Sequence, residues 1–302
     1  MSPRHPRRWA LAAVLPLLLG ACAGDPLATP GPTGAAASLV IGSQQYYSNE
    51  IIAELFAQAL EAHGYTVDRQ YQIGQREAYL PEMEAGRIDL LPEYSGNLLQ
   101  YYDKQTEARS PEEVVAALAD ALPPGLHVLA AATASDQDSY NVTSALAQRY
   151  GLVTLADLSK LPAPVQVAAN SELATRPYGP TGLKAAYGVE ATVVPVEDSG
   201  GPLTVKALLD GTVQVADIYS ADPVIATSDL VTLTDPKNLI LPQNVVPIAS
   251  AKVDAAAARI IDQVSARLDT AALIGLDARS VHEQLASSVI AKDWLTAQGL
   301  LA

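Results

Sequence analysis

Two tyrosines occupy matching settings: Tyr94-Ser95 begins eight positions after Gly86, and Tyr219-Ser220 eight positions after Gly211. Each follows a segment that reads as a helix closing at the glycine (Glu84-Ala85-Gly86 and Leu209-Asp210-Gly211), then a short apolar run. Glycine suits the left-handed position that ends a helix. A residue just beyond a strand's C-terminal end lies where open α/β sheets bind ligands. The echo spans about 125 residues and predicts two similar lobes, each presenting a tyrosine to a shared crevice. Tyrosine accounts for 13 of the 16 aromatic residues, and an aromatic face attracts a cation by about 0.5–2 kcal/mol.

Other reactive residues lack partners in the sequence. Asp198-Ser199-Gly200-Gly201-Pro202 resembles the nucleophile segment of chymotrypsin-like serine proteases, yet a triad needs a histidine base and an acid to orient it. His63 falls at a helix end before Gly64, and His127 precedes the apolar stretch Val128 to Ala132, so neither setting suits a base. The plainer reading is that Asp198 or Ser199 caps the helix carrying Val205 to Leu209. His63, His127 and His282 are far apart and have no acidic or cysteine neighbours at ligand spacing, so no metal site is expected. No glycine-rich phosphate loop is present, and no cofactor is expected.

The elements that position these residues begin after an export signal. Arg4, Arg7 and Arg8 precede an apolar run from Trp9 to Leu19, too short to span a bilayer comfortably. It ends in Leu19-Gly20-Ala21-Cys22, which resembles a bacterial lipobox, and Cys22 is the only cysteine. Residues 1–21 read as a lipoprotein signal peptide and Cys22 as the lipidation site, with acyl chains each contributing about 0.8 kcal/mol per buried methylene. Residues 22–37, rich in Gly, Pro, Ala and Thr, read as a flexible tether. Removal of the signal leaves 16 basic against 33 acidic residues, which argues against nucleic acid. Beyond the tether, strand-like and helix-like segments alternate, as in an α/β architecture with largely parallel sheets. Asn49 to Ala62 carries Ile51, Ile52, Leu55, Phe56, Ala59 and Leu60 on one helix face.

Several separated stretches resemble the substrate-binding proteins of osmoprotectant ABC importers, which take glycine betaine, choline or carnitine. They are Ile41-Gly42-Ser43, Gly86-x-Ile88-Asp89-Leu90-x-Pro92-Glu93-Tyr94-Ser95-Gly96, Arg176-Pro177-Tyr178-Gly179, Asp235-Pro236-Lys237-Asn238, and Ile290-Ala291-Lys292-Asp293-Trp294-Leu295. The resemblance implies an α/β, type II periplasmic-binding-protein fold: two α/β lobes, a ligand cleft between them and two crossover segments. Lobe 1 would comprise 38–135 and 246–302, and lobe 2 136–245, with a hinge that closes on ligand. It also implies a monomeric, non-enzymatic carrier held by Cys22 at the outer face of the cytoplasmic membrane, delivering solute to an ABC permease.

By the same resemblance, Tyr94, Tyr140 and Tyr219 would cage a trimethylammonium group, which has no hydrogen to donate and favours aromatic faces. Arg176 would hold a carboxylate, unless it serves a salt bridge between elements. Ser43, Gln44 and Asn97 would supply polar contacts toward the same end. Gln243 departs from the family pattern, where a further cage tyrosine is usual. That loss costs about 0.5–2 kcal/mol unless Tyr178 or Tyr46 fills the gap. Tyr47, Tyr101 and Tyr102 also fall near the cleft, with no role assigned. The alternatives are a binder of an amino acid or another polar zwitterion, including ergothioneine-like betaines, and a serine hydrolase using Ser199.

Overall fold

The computed structural model describes residues 38–301; the expected signal peptide, Cys22 and the expected tether lie outside them. Ten strands are present among the described residues: β1 (Ser38–Gly42), β2 (Thr66–Gln70), β3 (Leu90–Tyr94), β4 (Leu126–Val128), β5 (Tyr140–Thr143), β6 (Val165–Ala169), β7 (Ala191–Pro195), β8 (Val215–Asp217), β9 (Leu230–Thr232) and β10 (Val245–Ser250). They form two five-stranded sheets, ordered β2-β1-β3-β10-β4 and β7-β6-β8-β5-β9. In each sheet one half is parallel and the other antiparallel. β3 and β8 occupy the same central position; Tyr94 ends β3, and Tyr219 lies two residues beyond the end of β8. Gly86 and Gly211 close the preceding helices at φ of 70° and 72°, where only glycine escapes strain.

The chain passes between sheets after β4 and returns before β10. The two passages pair with each other: Ala132 N–H donates to Val245 O, Val245 N–H to Ala134 O and Asp136 N–H to Gln243 O, at 2.9–3.2 Å. This narrow antiparallel strip joins the two lobes at the position expected of the hinge. The helix Tyr47–Ala62 buries its apolar face against β1 and against the C-terminal helices Ala255–Ser265, Thr270–Glu283 and Ser287–Ala297. The C-terminal helices therefore complete the first lobe. Among the described residues no helix is long and apolar enough to cross a membrane.

Local sequence opens the cleft. β1 pairs with β3 only at Ile41 and Leu90, because Pro92 has no N–H with which to extend the ladder. Asn49, fully buried, fills the splay: its Nδ2 donates to Pro92 O at 2.9 Å and its Oδ1 accepts from Gln44 N–H at 2.8 Å. One side chain thus pins the segment 44–46 beside the end of β3.

One buried group weakens the first lobe. Asp277 is 1% exposed; its Oδ2 accepts from Ser48 Oγ at 3.1 Å, while Oδ1 has no partner among the described residues. Burial, and then the charge of Asp136, raise its pKa well above the ordinary carboxylate value. A carboxyl group raised in the folded state keeps a proton that the unfolded chain releases near pH 4. Stability contributed by this group is present at low pH and is lost as pH climbs toward the folded pKa. Asp277→Asn should therefore melt about 2–4 °C above the parent at pH 8, a gain of about 1 kcal/mol. The gap should close by pH 4, as read by calorimetry; a constant gap would exclude the charge as its cause.

Candidate functional site

The two sheets face each other across a small cleft lined by side chains of both lobes. From the first lobe it is lined by Gln44, Tyr46, Gln75, Arg76, Tyr94 and Asn97. Asp136 and Asp138 enter from the hinge, and Asn170, Glu172, Leu173, Arg176, Tyr178, Asp217 and Tyr219 from the second lobe. The lobes are latched by direct bonds: Tyr47 Oη donates to Asp222 Oδ2 (2.9 Å), Gln45 Nε2 to Ser199 Oγ (3.1 Å), Asn97 Nδ2 to Asp138 Oδ2 (2.7 Å) and Arg176 Nη1 to Glu77 Oε1 (2.8 Å). These bonds hold the two lobes against each other in this structure.

Three tyrosines meet at one end. The Tyr46 ring stacks on Tyr94 with centroids 6.3 Å apart and planes 22° apart, and meets Tyr219 at 5.0 Å and 60°. Tyr46 is the ring that meets both members of the echoed pair. The Tyr94 hydroxyl is buried, without a partner among the described residues. Asp136 lines the same cavity, and its charge adds to burial in raising the pKa of all three tyrosines. Its own pKa is pushed up to about 7, chiefly by burial and also by the neighbouring Asp138 and Asp222.

The structure puts several expected site residues to other uses. Tyr140 does not line the cavity: its ring packs in the core of the second lobe, and its hydroxyl donates to Tyr178 O at 2.7 Å. It positions Tyr178, which does line the cavity. Ser43 is fully buried and stays out of the lining; its hydroxyl donates to Gln44 O and accepts from Gln72 N–H. Gln243 is also fully buried and outside the lining. It accepts from Asn97 N–H at 2.9 Å and donates to Asn97 Oδ1 at 2.7 Å, which turns the Asn97 amino group toward Asp138. The close passage requires Gly96, where a Cβ would come within 2.7 Å of Gln243 Nε2 and 2.6 Å of Pro242 O. Arg176 lines the cavity, but its guanidinium bonds Glu77 across the cleft, the salt-bridge alternative.

Sequence reasoning missed the charged wall. Arg76 is buried and makes two bonds to Glu93, from Nε at 2.9 Å and Nη2 at 2.7 Å. Glu93 also accepts from Tyr79 Oη and Tyr94 N–H. Asp217 accepts from Ser139 N–H at 3.1 Å, and Glu172 from Asn170 Nδ2 at 3.2 Å. Burial raises the pKa of both, assisted at Asp217 by Asp138 and at Glu172 by Glu197. The available signal was the Asp136-Gln137-Asp138 repeat at the crossover and Asp217 two residues before the echoed tyrosine. Ser199 Oγ, for its part, accepts amide donors from Gln45 and Asn170, and Asp198 accepts from Leu203 N–H at the start of the next helix.

Residues 37–297 match the family model described as the substrate binding domain of ABC-type glycine betaine transport system. The glycine betaine-binding protein YehZ of Escherichia coli (strain K12) is 26% identical over 284 residues, covering 89% of this chain and 93% of the relative. A glycine-betaine-binding protein of Pseudomonas aeruginosa is 27% identical over 281 residues, covering 88% and 89%. The solved structure of a glycine betaine/carnitine/choline ABC transporter protein superposes with a TM-score of 0.70 at 20% identity, covering 87% of this chain and all of the other.

Proposed function

Because this chain belongs to the family of substrate-binding domains of ABC-type glycine betaine transport systems, we propose that it captures a quaternary-ammonium solute between its lobes and hands it to an ABC permease. The observation that carries the reading is the trio Tyr46, Tyr94 and Tyr219, drawn from both lobes and lining one cavity beside Asp136. A methylated ammonium group donates no hydrogen bond, so stacked rings and a nearby carboxylate hold it without leaving a donor unpaired. The names of the relatives, both glycine betaine-binding proteins, support the same chemistry.

The role is that of a carrier rather than a catalyst. Ser199 ties Gln45 of the first lobe to Asn170 of the second and thereby serves closure. Export and attachment through a lipid on Cys22 belong to this proposal, as does action as a monomer at the outer face of the membrane.

The test is calorimetric titration of the purified protein with glycine betaine, choline, carnitine and proline. At least one quaternary ammonium should bind at least tenfold more tightly than proline, and Tyr94→Ala and Tyr219→Ala should each weaken it at least tenfold. Proline binding as tightly as all three would favour the amino-acid alternative. Failure of every quaternary ammonium to bind would overturn the proposal.

A further inference from the structure

The cavity is charged in a way that bears on the far end of the ligand. Two arginines line it, and each is already bonded to a glutamate: Arg76 to Glu93 and Arg176 to Glu77. Four carboxylates line it as well, Asp136, Asp138, Asp217 and Glu172, and among the described residues none forms a salt bridge. Each of the four makes one bond to a protein donor, and that bond uses a single oxygen: Asp136 Oδ1 with Ala221 N–H, Asp138 Oδ2 with Asn97, Asp217 Oδ1 with Ser139 N–H, and Glu172 Oε1 with Asn170. No further protein donor bonds the second oxygen of any of the four, and Asp138 and Asp217 face each other within hydrogen-bonding reach. Two buried polar atoms in the lining, Gln75 Nε2 and Tyr94 Oη, also have no partner among the described residues.

We propose that the ligand is a quaternary ammonium with net positive charge, its far end a hydrogen-bond donor such as a hydroxyl and not a carboxylate. The inference rests on the tyrosine-trio reading and narrows it. An entering carboxylate would meet the Asp138–Asp217 pair and would have to draw a guanidinium away from Glu93 or Glu77. Breaking the buried Arg76–Glu93 pair is the costlier of the two, because it strands a charge that is 0% exposed. A hydroxyl has the opposite fit: it donates to a free carboxylate oxygen and adds no negative charge. Asp136 beside the rings then faces the ammonium, and the Asp138–Asp217 side faces the donor.

Choline and glycine betaine are the probes, since they share the trimethylammonium and differ at the far end. Titrated into the purified protein at pH 8 and low salt, choline should bind at least tenfold more tightly than glycine betaine. Asp138→Asn/Asp217→Asn should shift the ratio of the two affinities at least tenfold toward glycine betaine, and Glu172→Gln, less buried, provides the same readout should the double variant fold poorly. A mere structural lesion would weaken both ligands alike and leave the ratio in place, which would overturn the assignment of these carboxylates. Glycine betaine binding as tightly as choline overturns the inference while leaving the tyrosine-trio reading intact. No binding of either ligand, or of carnitine, overturns both.

Discussion

Tyr46→Ala should weaken binding of a quaternary ammonium about 30-fold or more. Tyr46 is the ring that touches both echoed tyrosines, at 6.3 Å from Tyr94 and 5.0 Å from Tyr219. Its loss removes one desolvated cation–aromatic contact, about 2 kcal/mol, and a 1.4 kcal/mol difference corresponds to a factor of ten. It also opens the end of the cavity beside Asp136 to water, which weakens the remaining electrostatic attraction. Tyr46→Phe keeps the ring and should bind within about threefold of the parent. Calorimetry on the two variants separates ring from hydroxyl; equal affinity in Tyr46→Ala and the parent would remove Tyr46 from the site.

Arg76→Met should lower the stability of the ligand-free protein by about 3–5 kcal/mol, because it leaves Glu93 in the protein interior without its cation. The pair is 6% and 0% exposed at the side chains, and its two bonds are 2.9 and 2.7 Å long. For a body of this size the loss corresponds to a fall in Tm of about 10 °C. Arg76→Met/Glu93→Gln replaces both charges and should recover most of that fall, since a neutral amide can still accept from Tyr94 N–H. Thermal unfolding of the two variants decides the matter. If the double variant melts no higher than the single one, the destabilisation comes from lost packing around the arginine stem.

The fold was legible because its signals are local and repeated. A glycine that closes a helix, an apolar strand and a terminal tyrosine occur twice, and the sheets place β3 and β8 at equivalent centres. The helix face at Ile51, Ile52, Leu55, Phe56, Ala59 and Leu60 is buried as its spacing predicts.

The cleft was less legible, because its residues depend on partners distant in sequence. Arg76 opens a helix and reads as a surface charge until the fold brings Glu93 against it. Arg176 meets Glu77, 99 positions away, only across the cleft. Tyr140 lies next to the crossover, where a cleft position is reasonable. Its ring instead turns into the second lobe's core, and its hydroxyl reaches the Tyr178 carbonyl. Gln243 had an identifiable departure from the family pattern but no visible consequence, since its contact with Asn97 joins positions 146 residues apart. Tyr46 precedes the first helix in a segment without periodicity, and only Asn49 bridging Gln44 to Pro92 brings that segment beside Tyr94.

The most direct test holds shape constant and removes the charge. Choline and its carbon isostere 3,3-dimethylbutan-1-ol present the same outline and the same hydroxyl, one with a quaternary nitrogen and one with a neutral carbon. In parallel calorimetric titrations, choline should bind at least 100-fold more tightly, about 2.7 kcal/mol. Equal affinities would mean that the rings of Tyr46, Tyr94 and Tyr219 recognise apolar bulk, and recognition of a cation would be contradicted.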